Sequence, residues 1–330
     1  MAIFQNLTIR EIGEQAGVST ATVSRALNGT GPVSSTTMEK IQKAIEDLGY
    51  MTPGPKKTAN TKIILVIFPD LINPFNGNII KGINDVAYRR GYKVIYYSNE
   101  NYTHTAPFDF LEEVDFYDGL ILAHALPDQQ RLAQLSAKKP IIMCSQHISG
   151  CTIPYVAIDD YDAACTAVKH LLATGRKKIA CINSALSNSY AFQREQGYRA
   201  CLEKAGLPIR EEWILHLPSV DFDSAFGSLH SLFNGKDYPD AFFCVSDVYA
   251  ASVIKYVKSQ GLRVPQDVSV MGFDDIPQAI MMTPAISTIH QPAYQMGYQA
   301  CNLLIEQIEN PSMIPTKIIL NTDLIVRGST

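Results

Sequence analysis

The residues with the plainest chemical purpose are Ser19-Thr20-Ala21-Thr22-Val23-Ser24-Arg25-Ala26-Leu27. An Arg guanidinium can span the O6 and N7 edge of guanine, Thr and Ala methyls match the thymine methyl, and short hydroxyls near a helix N-terminus suit phosphate oxygens. Gathered on one face of a helix, this set is suited to the major groove of DNA. Thr8, Ser19, Thr20, Ala21, Thr22, Ser24, Arg25 and Asn28 are the candidate DNA contacts.

The elements that must hold them follow from capping and periodicity. Thr8 and Glu11 have capping-box spacing, so a helix starts there and carries Ile9, Ile12 and Ala16 at helical intervals. Gly17 supplies the sharp turn, and Gly13 the small residue that two steeply crossing helices need where they approach. Ser19 caps the second helix, whose inward stripe is Val23, Ala26 and Leu27. A third helix opens near Ser34 to Thr36, buries Ile41, Ala44, Ile45 and Leu48, and ends at Gly49. A bare three-helix bundle with an arbitrary polar face is the bland alternative, and the chemistry of the outward residues argues against it.

Of 330 residues, 46% are hydrophobic and 18% charged, which is the balance of a globular protein of two or three domains. No run of about twenty apolar residues suggests a membrane span, and no signal peptide precedes the first helix, so a cytoplasmic protein is expected. The seven Cys are odd in number, scattered, and without a Cys-x-x-Cys pair, so they read as free thiols, with no metal site. The net charge of −4 divides unevenly. Residues 1–62 carry seven Lys/Arg against five Asp/Glu, or +2, and residues 63–330 carry 21 against 27, or −6. A footprint of +2 is weak for a DNA-binding domain, so useful affinity calls for two copies.

Beyond residue 62, apolar runs alternate with helical patterns. Strands are expected at Ile63–Phe68, Tyr92–Tyr97, Gly119–Ala123 and Pro140–Cys144, with a helix over Ile79–Arg90. A second set follows, with helices at 162–174, 192–205 and 248–260 and strands at 178–182, 241–245 and 268–273. Nearly continuous apolar strands between helices signal parallel sheets covered on both faces, here in two similar α/β halves with a cleft between them. Such sheets bind ligands beyond the carboxyl ends of their strands. The loops there contain Asn73-Pro74-Phe75-Asn76, Asn188 to Arg194, Phe222, Asp247 and Asp274-Asp275. Taken singly, Asp159, Asp160 and Asp274 could be helix caps, Phe75 and Phe222 core aromatics, and His290 a structural histidine.

An enzyme is the rival class. Gly29-Thr30-Gly31 follows a helix rather than a strand and lacks the third glycine of a dinucleotide fingerprint. No P-loop, Gly-x-Ser-x-Gly elbow or His-Glu-x-x-His occurs. No cofactor is expected.

Gly17-Val18-Ser19-Thr20-Ala21-Thr22-Val23-Ser24-Arg25-Ala26-Leu27-Asn28 resembles the LacI family of bacterial transcription repressors. The likeness continues through Val66-Ile67-Phe68-Pro69-Asp70, Asn73-Pro74-Phe75, Asp118 to Leu122, Arg194-Glu195-Gln196-Gly197-Tyr198, Ser246-Asp247, Val270 to Asp275 and Ser287 to Pro292. It implies a helix-turn-helix domain at 1–50, a linker at 51–62, and an effector and dimerisation domain at 63–330 with the periplasmic-binding-protein-like α/β fold. The chain would cross between subdomains near 157–160, 289–292 and 321–323, leaving about 63–158 with 292–320 on one side and about 161–290 with 321–330 on the other. The segment 99–117 is shorter than the family's usual one, which implies a truncated helix. Carried over by position, Phe75 and Asn76 would touch the effector's ring, Arg194 would hydrogen-bond it, and Asp274 would accept from sugar hydroxyls. Asn188, Tyr190, Phe222 (or Val220, two residues away), Asp247 and Asp159 complete the effector candidates. Within the family the chain is most similar to cytidine-responsive repressors, through Ser19 to Leu27 and the C-terminal Leu324-Ile325-Val326-Arg327-Gly328-Ser329-Thr330. That likeness implies a homodimer on a pseudo-palindromic operator, a nucleoside inducer that releases DNA, and cooperation with the cyclic-AMP receptor protein.

The linker departs from the family, whose members commonly carry a hinge helix there that wedges a Leu into the minor groove. Thr52-Pro53-Gly54-Pro55-Lys56-Lys57 places two Pro and a Gly within four residues and offers no Leu. A twelve-residue coil has a root-mean-square reach of about 20 Å and a limit of about 40 Å, against roughly 34 Å for one DNA turn. The prediction is tolerance of varied half-site spacing and little operator kinking. Binding to operators with base pairs inserted between half-sites checks it; a collapse on adding one or two pairs would contradict it.

Overall fold

The structure is a computed structural model that describes residues 9–28, 31–47, 61–98, 106–123, 128–148, 150–233, 235 and 237–330. Thr8, Leu48, Gly49 and linker residues 51–60 lie outside the described residues, as do the side chains of Leu27, Asn28 and Ile45. The chain divides into two compact units, Met1–Thr61 and Lys62–Thr330.

The small unit contains α1 (Ile9–Ala16), α2 (Thr20–Asn28) and α3 (Ser35–Asp47). Its core is Ile12, Ala16, Val23, Ile41 and Ala44, with Val18 and Ala26 packed on it. Gly17 has φ +66°, where a side chain would be strained. A Cβ on Gly13 would meet the Val18 carbonyl oxygen at 2.9 Å, so the turn closes directly against α1.

The first half of the large unit runs β1 (Ile63–Phe68), α4 (Pro74–Arg90), β2 (Lys93–Ser98), α5 (Ala106–Glu113), β3 (Gly119–Leu122), α6 (Gln129–Ser136), β4 (Ile141–Cys144) and β5 (Tyr155–Ile158). The second half runs α7 (Asp160–Ala173), β6 (Ile179–Ser184), α8 (Ser189–Lys204), β7 (Ile214–Leu217), α9 (Phe222–Ser228), β8 (Ala241–Cys244), α10 (Asp247–Ser259), β9 (Ser269–Met271), α11 (Pro277–Met281) and β10 (Thr288–His290). Then come α12 (Ala293–Glu309), β11 (Lys317–Leu320) and β12 (Asp323–Ile325). A six-stranded sheet has the order β11-β5-β4-β3-β1-β2 and a four-stranded sheet the order β7-β6-β8-β9, with parallel pairing in both. β11 returns to the first sheet after α12, so the chain passes between subdomains after β5, after β10 and after β11. Near these crossings β10 and β12 form a short antiparallel ribbon.

All but the first residue of β1 are buried, as an all-apolar strand requires when helices cover both faces. α4 begins five residues before its apolar periodicity does, because Asn73 Oδ1 accepts from the Phe75 amide at 3.1 Å and Pro74 fits the first turn. α5 is short, at eight residues. Among the described residues no helix is long and apolar enough to cross a membrane, and no cluster of metal-ligating side chains forms. The seven cysteines are unpaired.

Two helices carry the first subdomain together through backbone contact. A Cβ on Gly297 of α12 would lie 2.1 Å from the Ile79 carbonyl oxygen, and one on Gly82 of α4 would lie 2.2 Å from that of Tyr294. A Cβ there meets backbone that cannot swing aside as a side chain would, so Gly297→Ala is predicted to destabilise the large unit by about 1–3 kcal/mol, in the manner of core overpacking. Gly77→Ala, on the open face of α4 with nothing within 4 Å, should be neutral or raise stability by up to ~1 kcal/mol. Denaturant midpoints of the two variants check the contrast.

Candidate DNA-reading helix and effector cleft

In the small unit, Ser19 Oγ accepts from the Thr22 amide at 3.2 Å and bonds the Thr22 hydroxyl at 2.8 Å, which starts α2. Ser19, Thr20, Ala21 and Arg25 are exposed, while Thr22 and Ser24 are half-buried. The outward face is therefore narrower than the sequence suggests, because the Thr22 hydroxyl serves the cap. Arg25 folds along its own helix, with Nε 3.3 Å from the Ala21 carbonyl oxygen. Asn28 closes α2.

In the large unit, a cleft of about 640 Å³ is lined by both halves. Its walls come from beyond the carboxyl ends of β1 (Asp70, Asn73, Phe75, Asn76), β4 (Ser145, Gln146), β6 (Asn188, Tyr190, Arg194), β7 (Val220, Asp221), β8 (Ser246) and β9 (Asp274), with Gln291 from the second crossing. Asp274 sits at φ +111° and Asp275 at +60°, a left-handed pair of non-glycine residues that aims the first carboxylate into the cleft. Ser246 Oγ donates to Asp274 Oδ2 at 3.1 Å and Gln291 Nε2 to Oδ1 at 2.7 Å. Burial pushes the Asp274 carboxyl up to about 7, against the pull of Arg194 and these two donors.

Arg194 is buried. Its Nε lies 2.8 Å from Asp160 Oδ1, its Nη1 donates to the Val245 carbonyl at 2.7 Å, and Asp274 Oδ1 is 3.8 Å from Nη1. The guanidinium lies over the Phe273 ring at 3.6 Å and faces the Tyr190 ring at 4.9 Å. Burial raises the Asp160 carboxyl, and Arg194 pulls it back. An aromatic wall, a held guanidinium and a carboxylate of adjustable charge can stack a flat ring and bind hydroxyls.

Residues 8–53 match the description "Bacterial regulatory proteins, lacI family", and residues 168–330 match "Periplasmic binding protein-like domain". The HTH-type transcriptional repressor CytR of Escherichia coli K12 is 32% identical over 329 residues, covering 98% of this chain and 96% of CytR. The chain belongs to the LacI family. It is a DNA-binding transcriptional repressor, not an enzyme. The repressor PurR of Photobacterium profundum is 28% identical, covering 98% of both chains. Among solved structures, a lac repressor dimer bound to operator and the anti-inducer ONPF shares the fold, with TM-score 0.74, 24% identity and 99% coverage of each chain.

Of the effector candidates, the structure brings Phe75, Asn76, Asn188, Tyr190, Arg194 and Asp274 together around the cleft. Asn188 stands at the N-cap of α8 without a side-chain capping bond, which leaves its amide to the cavity. Three candidates are placed elsewhere. Phe222 does not line the cleft: Asp221 caps α9 through the Ser224 amide at 2.7 Å, and this turns Phe222 onto Phe226, while Val220 lines the wall. Asp247 is buried beneath the site, accepting from Thr288 Oγ1 at 2.7 Å and the Ile276 amide at 3.0 Å. Asp159 caps α7 through the Asp162 amide at 2.9 Å. His290 meets Asp275 at 3.0 Å, so it is structural. Sequence reasoning missed Gln146, Gln291 and Asp221, and underrated Asp160 as the partner of Arg194. Arg194 also has a structural part, since removing it leaves Asp160 buried and unpaired, a loss of about 3–5 kcal/mol.

Arg25→Ala is predicted to lower discrimination between operator and unrelated DNA by about 1–3 kcal/mol. A mobility shift against both DNAs measures it, and small-molecule binding by the large unit should be unchanged.

Proposed function

We propose that the cleft takes a nucleoside such as cytidine and that its binding releases the operator. The observation that carries this is the placement of Phe75 and Tyr190 in the same cavity as Asp274 and Arg194, which offers a ring to stack on and polar groups for a ribose. The likeness to CytR supports it. We further propose a homodimer whose two headpieces occupy successive major grooves of a pseudo-palindromic operator, a reading that the weak charge of one headpiece favours. A second reading, a purine base or sugar as effector, is favoured by the likeness to PurR. Cooperation with the cyclic-AMP receptor protein rests on the resemblance to CytR; mutual tightening on a shared promoter in mobility shifts would support it.

Calorimetric titration with cytidine, uridine, adenosine, hypoxanthine and ribose separates the readings. Nucleoside binding that weakens the operator complex is expected; binding by base or sugar alone would replace the nucleoside reading with the second.

The same titration has a predicted pH dependence. Ribose hydroxyls donate to the ionised form of Asp274, so binding lowers a carboxyl that stands at about 7 in the free protein and releases its proton. Affinity should therefore rise between pH 6 and 8. Asp274→Asn should bind more weakly, by about tenfold or more for a lost charge-assisted bond, and show a flat profile.

A further inference from the structure

The charges around the cleft are unbalanced. Arg194 is the only Lys or Arg among the described lining residues, whereas Asp70, Asp221 and Asp274 all reach the cavity. The arginine is already matched, since Asp160 stands 2.8 Å behind it with both side chains under a tenth exposed. Two carboxylates, Asp70 and Asp221, and the partly ionised Asp274 thus face the space, with no cation left over among the described lining residues.

The backbone amides that an anion would use are also taken in two of the turns. Asp70 Oδ1 accepts from the Ile72 amide at 2.6 Å, and Asp221 Oδ1 from the Ser224 amide at 2.7 Å. The Ser224 bond holds the Asp221 carboxyl below its ordinary range, so it is ionised at neutral pH. The opposing feature is the N-terminus of α8, which lacks a side-chain cap. It offers a partial charge of roughly +0.5, less than a single carboxylate removes.

We infer that the cleft selects effectors without phosphate, uncharged or cationic, and rejects their phosphate esters. This rests on the reading of the cleft as the effector site, and it concerns charge rather than the identity of the ring or sugar. A phosphate there would lie against like charge with nothing to pair it.

The test is titration of the full chain with matched pairs at low ionic strength: cytidine and cytidine monophosphate, adenosine and adenosine monophosphate, ribose and ribose 5-phosphate. A parent that binds should exceed its phosphate ester by about a hundredfold or more. In Asp70→Asn/Asp221→Asn that gap should narrow at least tenfold, since Asn keeps the turn and cap bonds and loses the charge. Added salt should narrow it in the wild type. A phosphate ester binding within tenfold of its parent, or a gap unmoved in the double variant, overturns the inference. Failure of this inference and of the nucleoside reading look different. Ribose binding with its ester excluded supports the charge rule and defeats the nucleoside, whereas a nucleoside monophosphate binding as well as its nucleoside does the reverse.

Discussion

The large unit is organised around the buried pair of Arg194 and Asp160. Such a pair adds little net stability over apolar packing, but it is intolerant of losing one member, so it fixes geometry. Asp160 follows the first crossing between subdomains and Arg194 lies on α8, so the pair locks the start of the second subdomain to the wall of the cleft. Gln291, in the second crossing, does the same for Asp274 at 2.7 Å. The residues that can meet an effector are thus held by the segments that must flex if the subdomains move. A ligand shifts a conformational balance only through differential affinity for the two states. A change in the crossings would alter the partners of Asp274, Gln291 among them, and with them its charge and aim.

A second layer keeps the crossings stiff. Asp247 ties the head of α10 to Thr288 in β10 and to the Ile276 amide, and Gly272 leaves no room for a side chain against it, a Cβ there lying 2.1 Å from Asp247 Oδ1. Asp275 bridges His290 of β10 at 3.0 Å and Arg327 at 2.7 Å, just past β12. Burial and the nearness of Asp274 push the Asp247 carboxyl well above its ordinary range, against the pull of its donors from Thr288 and Ile276. Strain at the two positive-φ aspartates is thereby sustained by hydrogen bonds on both sides. This is the arrangement expected where a site is preorganised rather than formed on binding.

Much of this was legible in the sequence because the relevant signals are local. Strand and helix alternation, the caps at Ser19 and Ser34, and the turn at Gly17 all appear where spacing and residue type require them. So do the loops beyond the strand ends, from which six of nine effector candidates enter one cavity. What stayed hidden depends on contacts distant in sequence or on a single capping bond. Asp160 and Arg194 lie 34 positions apart, and no pattern between them announces a pair. Phe222 was misplaced because Asp221 opens a helix where a loop was expected, and one residue of helix start decides which side chain faces the ligand. Asp247 showed the opposite difficulty: an acidic residue after a strand reads as a ligand, and only the Thr288 hydroxyl, 41 residues away, reveals that its oxygens are occupied.

The DNA-reading side works with a smaller margin. In the free headpiece Arg25 is exposed, and its bond to the Ala21 carbonyl, at 3.3 Å, is longer than the usual N–H···O distance. Exchanging it for a base edge therefore forfeits little, and nearly the whole of a base-edge pair remains as discrimination. The hydroxyl of Thr22 is different, since using it on DNA would open the cap that starts the helix. On the proposed contacts sequence preference would rest on few side chains, Arg25 foremost, while general affinity would come from phosphate contacts that residues 1–62, at net +2 with the linker lysines included, supply sparingly. In the proposed homodimer, occupancy would be gained by joining two weak headpieces, and an effector would need only to make their joint placement less favourable to release both.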